Sequence, residues 1–389
     1  MTITEANLQS DTAEVREYNR ARRWLEIGDL VLSFGFLIAL LVTGWTNTLS
    51  ALARRMGGDH YALNLFLYVL FLSVLSKVLG FPLDVYGFRL EHRFNLSNQR
   101  AGAWIKDEIK GWVLGLVLGA VLAEIVYALI RISPQYWWLL AWIIFIALFV
   151  FFAQIAPVVL FPLFYKFAPL QNEELKARLM RLGERAGTRV RGVYEWKLSE
   201  KSRKANAALT GLGNTRRIIL ADTLLQNYSN DEIEAVLAHE LGHHVHGHMT
   251  KMIVVQALVT LAGFWAAHQV LYWATYEQKL FRSINFENLT NFANLPLLAL
   301  VASGLSLLLM PALNAYSRFT ERQADLYCWK SVANVAPYIS AMEKLGKQNL
   351  SESNPSRLVE LLFHSHPPIS KRIAAAEAWA KSHRPSLAT

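Results

Sequence analysis

The sequence predicts a mainly α-helical, polytopic membrane protein with about six spans and a small α+β region outside the bilayer. Of its 389 residues, 53% are hydrophobic and only 18% are charged. The apolar residues also come in long, nearly charge-free blocks, each near or above the roughly 20 residues that a helix needs to cross a bilayer. These blocks cover about residues 30–52, 61–76, 111–130, 132–165, 252–275 and 295–317.

The first and fourth blocks differ from ordinary spans at one end. Residues 1–26, before the first block, are polar and charged, so we do not expect a signal peptide there. The fourth block, residues 132–165, would be about 50 Å long as a straight helix, against a hydrocarbon core of roughly 30 Å. Because proline interrupts helical hydrogen bonding, we expect this helix to bend or end near Pro157 and Pro162.

The spans divide the chain into four segments. Residues 1–165 form an N-terminal membrane domain with four spans, and residues 251–316 contain two further spans. Two polar segments, residues 166–250 and 317–389, lie between and after them. If the two polar segments form one site, the last pair of spans must bring them together.

Basic residues are unevenly distributed between the two sides of the predicted spans. One side holds the larger group, namely Arg16, Arg20, Arg22, Arg23, Arg89, Arg93, Arg100, Lys106 and Lys110. The connections on the other side hold only Arg54, Arg55, Arg131, Lys279 and Arg282. The positive-inside rule therefore puts both termini and both polar segments in the cytoplasm. The net charge of +9 is spread without an aromatic-interleaved run, which favours contact with the lipid bilayer over nucleic acid.

The most specific motif is His239-Glu240-Leu241-Gly242-His243. On a helix, positions i and i+4 lie on the same face, so His239 and His243 can bind one metal ion while Glu240 projects beside them as a general base. This pattern is typical of zinc proteases, and it predicts one Zn²⁺ per chain.

The residues before the motif predict the start of the helix that carries it. Ser229 and Glu232 have the spacing of a capping box, and acidic side chains in the first turn favour the positive end of the helix dipole. One alternative stays open, because His244, His246 and His248 follow the motif. The histidines would then form a His-rich surface patch that binds no metal.

A zinc protease needs a third protein ligand, which leaves the fourth position for water. The chain has a single cysteine, so a cysteine-based site is excluded, and Met249 stands where a metzincin would have its third histidine. Glu321 and Asp325 lie just after the sixth block and share one helical face. We predict that Glu321 is the third ligand and that Asp325 hydrogen bonds a ligating histidine. Taken alone, these two acids would more often belong to a solvated helix face.

Four separated motifs in this order resemble the type I CAAX prenyl endopeptidases, which are integral-membrane zinc gluzincins. The matching segments are residues 239–243, 317–325 and 206–225, and His366-Pro367-Pro368 with Arg372. The resemblance implies that the membrane helices enclose a large chamber. Eukaryotic members carry seven spans whereas this sequence predicts six, and the missing span lies at the N-terminus.

The same resemblance implies roles for individual residues. His239, His243 and Glu321 would bind zinc, and Glu240 would activate the attacking water. The residues expected to support the ligands are Asp325, Arg318 and Arg372. His366 would lie close to the zinc and is a candidate for stabilising the oxyanion, although its alternative role is only to start a C-terminal helix.

A short hairpin is predicted before the zinc helix. Residues 205–213 and 216–220 have strand character around a Gly-Leu-Gly-Asn turn. The resemblance makes Asn206, Ala207 and Ala208 the exposed edge that pairs with an extended substrate, the usual device for holding a peptide. A purely structural hairpin packed on the zinc helix is the alternative, and both roles are compatible.

These features predict a zinc-dependent membrane endopeptidase whose substrate is a peptide or protein. The resemblance implies C-terminal CAAX processing of prenylated proteins. Two alternatives stay open: a quality-control protease that degrades misfolded or stalled membrane proteins, and a membrane scaffold or transporter in which zinc is only structural.

Overall fold

The computed structural model describes residues 11–211, 216–277 and 288–383. Within these ranges the helices are α1 (Ala13–Val42), α2 (Trp45–Gly57), α3 (Tyr61–Arg93), α4 (Ala101–Ile132), α5 (Trp137–Ile155), α6 (Glu173–Arg185), α7 (Asp222–Asn227), α8 (Asn230–Val245), α9 (His248–Tyr272), α10 (Leu295–Ser331), α11 (Ala336–Gln348), α12 (Arg357–Phe363) and α13 (Ile369–Ser382). The strands are β1 (Phe167–Pro169), β2 (Val193–Trp196), β3 (Ala207–Thr210) and β4 (Arg217–Ala221). Six of the described helical segments, built on α1, α3, α4, α5, α9 and α10, are long and apolar enough to cross a membrane. The predicted fold class and number of spans are confirmed.

The predicted limits of the first span are wrong. Its helix, α1, begins at Ala13, where the Thr12 side chain accepts a hydrogen bond from the Val15 amide, and it ends at Val42. Residues 45–52 belong instead to α2, a separate amphipathic helix. The break falls at Gly44, whose positive φ of 74° is available to glycine at little cost and stops the helix.

The fourth span ends as the prolines predict. The α-helical part, α5, stops at Ile155, and the chain continues through a π turn at Ala156–Leu160 and a 3₁₀ turn at Phe161–Leu163. Pro157 lies inside the π turn, where its missing amide hydrogen and its ring prevent regular helical bonding.

Two sets of polar contacts lie inside the membrane domain. Lys77 Nζ lies 2.8 Å from Asp84 Oδ2 and 2.5 Å from Glu108 Oε2, which joins α3 to α4. His268 on α9 accepts a hydrogen bond from the Trp137 indole at 3.0 Å. Lys279 and Arg282, which contribute to the predicted orientation in the membrane, lie outside the described residues.

A buried hydrogen-bonded cluster closes the end of the bundle near α2. Thr46 donates to the Ala293 carbonyl at 2.5 Å and lies 2.6 Å from the Tyr68 hydroxyl, and Tyr127 donates to the Asn294 side chain. This hydrogen-bonded cluster lies at the opposite end of the spans from residues 94–100. Those residues contact the soluble part, since the Asn98 amide donates to the Lys201 carbonyl.

A cavity of about 770 Å³ lies between the spans. Its walls come from α1, α3, α4, α5, α9 and α10, and they are mostly apolar with a few hydroxyl and amide side chains. The enclosed chamber that the family resemblance implies stays a prediction, since this cavity is partly open.

The soluble part contains one four-stranded sheet in the order β1-β2-β4-β3. β2 and β4 are parallel, whereas β3 pairs with β4 in the antiparallel sense, with Ala207 opposite Leu220 and Ala208 opposite Ile219. This pairing confirms the predicted hairpin, whose turn at residues 212–215 lies outside the described residues. β3 is therefore at the edge of the sheet.

The helix α8 packs between this sheet and α10. Its approach to α10 is very close, because a Cβ atom added at Gly242 would lie 2.8 Å from Ala324 Cα. The buried Cys328 thiol also donates to the Ala235 carbonyl across this interface at 3.2 Å. Since α10 runs without a break from Leu295 to Ser331, one helix is both the sixth span and part of the soluble core.

Candidate metal centre

The start of α8 is fixed by the predicted capping box. The Ser229 hydroxyl accepts from the Glu232 amide at 3.3 Å, and Glu232 Oε2 accepts from the Ser229 amide at 2.7 Å. Glu232 also accepts hydrogen bonds from Ser340 and Lys344 on α11. Burial disfavours the Glu232 carboxylate, but these donors outweigh burial and lower its pKa below the ordinary value. The helix that presents the histidines is thus held against α11 by a buried charge.

The structure brings His239, His243 and Glu321 together. The two Nε2 atoms are 3.3 Å apart, His239 Nε2 is 3.2 Å from Glu321 Oε2, and His243 Nε2 is 3.3 Å from Glu321 Oε1. Four ligands at the usual zinc bond lengths of 2.0–2.2 Å form a tetrahedron with edges of about 3.3 Å. The spacing therefore fits a tetrahedral zinc site.

Burial of His239 and Glu321 argues against the surface-patch alternative. The exposed fraction is 7% for His239 and 5% for Glu321. Oxygen Oε2 of Glu321 is buried, with His239 Nε2 at 3.2 Å and Arg372 at 3.9 Å. A buried carboxylate is costly unless positive charge lies beside it. The alternative of a solvated helix face for Glu321 is accordingly wrong as well.

The electrostatics of His239 show what competes with a metal for this site. Burial disfavours the charged imidazole, but hydrogen bonds to Asp325 and Glu321 outweigh it and raise the pKa of His239 to about 9. Without a metal ion, His239 therefore stays protonated at neutral pH. Metal binding must displace that proton, so metal affinity falls as the pH is lowered.

Asp325 and Arg372 form the outer support of His239. Asp325 Oδ1 lies 2.8 Å from His239 Nδ1, and it accepts the hydrogen bond that leaves Nε2 free for a metal. Arg372 on α13 holds the same carboxylate through two nitrogens, at 2.5 and 2.9 Å. Arg372 also reaches within 3.9 Å of Glu321.

Arg318 lies further from the ligands than the prediction implied. It is buried and donates to the carbonyls of Glu360 and His364, at 2.9 and 2.6 Å, rather than to a ligand. The Glu360 carbonyl lies in the last turn of α12, where it also accepts from the His364 amide at 3.3 Å, and His364 directly follows this helix. Arg318 therefore fixes the segment that leads to His366.

His366 reaches the edge of the metal centre. Its Nε2 lies 3.2 Å from Glu321 Oε1, and its side chain is 62% exposed. The general-base candidate, Glu240, follows His239 on α8, and burial raises the pKa of its carboxyl above the ordinary value. A solvent-accessible imidazole and a carboxyl group of raised pKa thus flank the same site.

The predicted substrate-binding residues lie on the edge strand beside α8. Ala207 and Ala208 belong to β3, and the Asn206 carbonyl accepts from the Ala221 amide at 3.0 Å, which extends the pairing by one residue. The far side of β3 is the side to which an extended peptide could be added.

Three residues that shape the site have no assigned role in the sequence analysis, namely Gly242, His248 and Gln323. The missing side chain of Gly242 lets α8 and α10 approach. His248 would be exposed only under the surface-patch alternative, but its exposed fraction is 6%, and it contacts both His243 and Gln323. The spacing of His248 from the motif was visible in the sequence, whereas its contact with α10 was not.

The chain is similar over most of its length to known membrane proteases. Residues 169–380 match the family described as "Peptidase family M48". Residues 3–166 match the family described as "CAAX prenyl protease N-terminal, five membrane helices". An uncharacterized metalloprotease of Bacillus subtilis, YhfN, is 32% identical, with 95% of this chain and 86% of the relative covered. CAAX prenyl protease 1 of Saccharomyces cerevisiae is 31% identical over 79% of this chain and 70% of its own length. The crystal structure of S. mikatae Ste24p superposes with a TM-score of 0.83 at 25% identity, covering 94% of this chain and 88% of that one.

Proposed function

Because this chain belongs to the CAAX prenyl protease family within peptidase family M48, we propose that its metal is zinc and that it trims the C termini of prenylated proteins. The protein is a multi-pass membrane metalloendopeptidase. Membership in a peptidase family, with Glu240 beside the ligand cluster, leaves the scaffold or transporter alternative without support.

One observation carries the proposal, namely the spacing of 3.2–3.3 Å among His239, His243 and Glu321. Two imidazoles and one carboxylate suit zinc, whereas calcium and magnesium prefer oxygen ligands only. Three protein ligands also leave the fourth position that a catalytic zinc needs.

In the proposed mechanism, bound zinc supplies Lewis acidity for the peptide carbonyl and for the attacking water. Glu240 accepts a proton from that water and later delivers it to the leaving amine. The free edge of β3, at Asn206, Ala207 and Ala208, hydrogen bonds the substrate backbone in an extended form. His366 donates a hydrogen bond to the carbonyl oxygen as negative charge develops there.

The role of His366 predicts a selective defect. We expect His366→Ala to lower kcat by about 10²–10³-fold, the usual cost of losing one oxyanion donor, while zinc content stays at one per chain. His364→Ala is the matched control, since His364 lies 4.0 Å from Glu352 rather than in the ligand cluster. Steady-state kinetics and metal analysis of both variants test this role. Unchanged turnover in His366→Ala would show that His366 only starts the C-terminal helix.

The proposed substrate class rests on two supports. CAAX prenyl proteases from several eukaryotes are among the similar proteins, and the membrane domain holds a mostly apolar cavity in which a lipid chain could be buried. The lipid bilayer itself is the other expected partner.

A pair of peptides tests this class directly. Full-length protein in lipid vesicles should cleave a farnesylated CAAX peptide with a kcat/KM at least about tenfold above that of the same peptide without the farnesyl group, because even one buried methylene group gives tenfold discrimination. The Glu240→Gln variant is the blank for contaminating proteases. If both peptides are cleaved at equal rates and an unfolded membrane protein is also cleaved, the proposed function would be quality control instead of CAAX processing.

We also propose that the metal centre and both termini face the cytoplasm. The basic residues of the N-terminal tail and of the connection between α3 and α4 lie at the same end of the bundle as the soluble part, as the ion pair of Arg23 with Glu352 illustrates. A thiol reagent added to the cytoplasmic side of oriented vesicles should label Lys371→Cys, whose side chain is exposed. Labelling only from the opposite side would reverse this orientation.

A further inference from the structure

We propose that His248 and Gln323 are positioning residues for the metal ligand His243. His243 Nδ1 lies 3.0 Å from His248 Nδ1, and His248 Nε2 lies 2.9 Å from Gln323 Oε1. The two contacts form a continuous relay from α10 through the start of α9 to the ligand on α8. The inference rests on the proposed metal site, to which it adds an outer partner for the second histidine.

The relay has a direction that chemistry dictates. A carbonyl oxygen only accepts, so Gln323 Oε1 takes the hydrogen from His248 Nε2. The neutral His248 then has a bare Nδ1, which accepts the hydrogen from His243 Nδ1. This leaves the lone pair of His243 on Nε2, the atom that lies 3.3 Å from both His239 Nε2 and Glu321 Oε1. The relay therefore holds His243 in the metal-binding tautomer.

The local backbone explains why His248 can serve in this way. α8 ends at Val245, and Gly247 adopts a positive φ of 63° before α9 begins at His248. This left-handed residue turns the chain sharply, so that the first residue of the fifth span lies beneath the last ligand of α8. The His248 side chain is buried, and its ring also stacks on His246 with ring centroids 5.5 Å apart.

The two imidazole ligands are supported differently. His239 is oriented by a charged pair, Asp325 with Arg372, whereas His243 is oriented by a neutral imidazole and a neutral amide. The carboxylate makes His239 the more basic ligand, and the neutral relay adds orientation without adding charge. Loss of the relay should therefore weaken metal binding while the rest of the site stays in place.

Paired substitutions test the relay through zinc affinity. His248→Leu removes the acceptor for His243 Nδ1, and we expect zinc to bind about 10–100-fold more weakly in competition with a chelator. His248→Asn is the matched variant, because its Oδ1 can occupy the place of the imidazole Nδ1, and it should bind within a few-fold of the unmodified protein. Gln323→Leu should weaken binding, and Gln323→Glu, which keeps an acceptor, should preserve it.

The controls separate this inference from the proposed function. All measurements use the full-length protein in the same lipid, and thermal unfolding of each zinc-free variant is compared with that of the zinc-free unmodified protein. Tight zinc binding by the unmodified protein with equally tight binding by His248→Leu would overturn the relay alone. Equal weakening by His248→Leu and His248→Asn would also overturn it, whereas failure of the unmodified protein to bind zinc would overturn the metal site itself.

Discussion

Replacing Glu240 by Gln should abolish peptide cleavage while leaving the metal centre intact. The substitution keeps the size of the side chain but removes the base that accepts the proton from water. General acid and base catalysis is worth about 10²–10⁴-fold, so we expect kcat to fall by that factor or below detection. His239, His243 and Glu321 are unchanged in this variant, and zinc content should remain at one per chain.

The measurement combines a cleavage assay with metal analysis of the same preparation. Glu234→Gln is the matched control, since Glu234 lies on the same helix but pairs with Arg178 at 2.5 Å, away from the ligands. It should cleave at close to the unmodified rate. Normal turnover by Glu240→Gln would mean that another group accepts the proton and that the proposed mechanism is incorrect.

Glu321→Gln should remove both metal and activity. The amide cannot provide the negative charge that balances the cation, and Glu321 contacts both His239 and His243. We expect the loss in zinc affinity to exceed the roughly 10–100-fold that the loss of an outer partner costs. Dialysis against a weak chelator should then leave Glu321→Gln without metal, whereas Glu240→Gln keeps it.

A neighbouring substitution provides the control for this second variant. Arg322→Gln changes the next residue of α10, which is exposed, and should retain metal and activity. Full zinc retention by Glu321→Gln after the same dialysis would show that the third ligand is another residue. The pair of outcomes for Glu240→Gln and Glu321→Gln thus distinguishes a chemical role from a binding role.

Features that depend on neighbouring residues in the sequence could be predicted. The number of spans follows from long apolar blocks, the start of α8 from the Ser229 and Glu232 capping box, and the shared helical face of Glu321 and Asp325 from their spacing. Each of these features depends on a local pattern of residues and not on how the rest of the chain folds.

Other features could not be predicted from local patterns. The end of α1 is set by the positive φ of Gly44, whereas Gly28 and Gly35 of the same span stay helical. The relay of His248 with Gln323 exists only because α8, α9 and α10 converge. Arg318 was expected near the ligands from its position in the motif, but its long side chain extends to carbonyls of α12 instead.

The unbroken course of α10 makes anchoring and catalysis inseparable in this molecule. Glu321 is carried by the same helix that crosses the bilayer, and α9 starts only three residues after α8 ends. Within residues 229–277 and 288–331, no hinge or linker marks a point at which a water-soluble fragment could be excised with the three proposed ligands still in place. Tilting of either helix to match the thickness of its host lipid would act directly on the geometry of the bound ion.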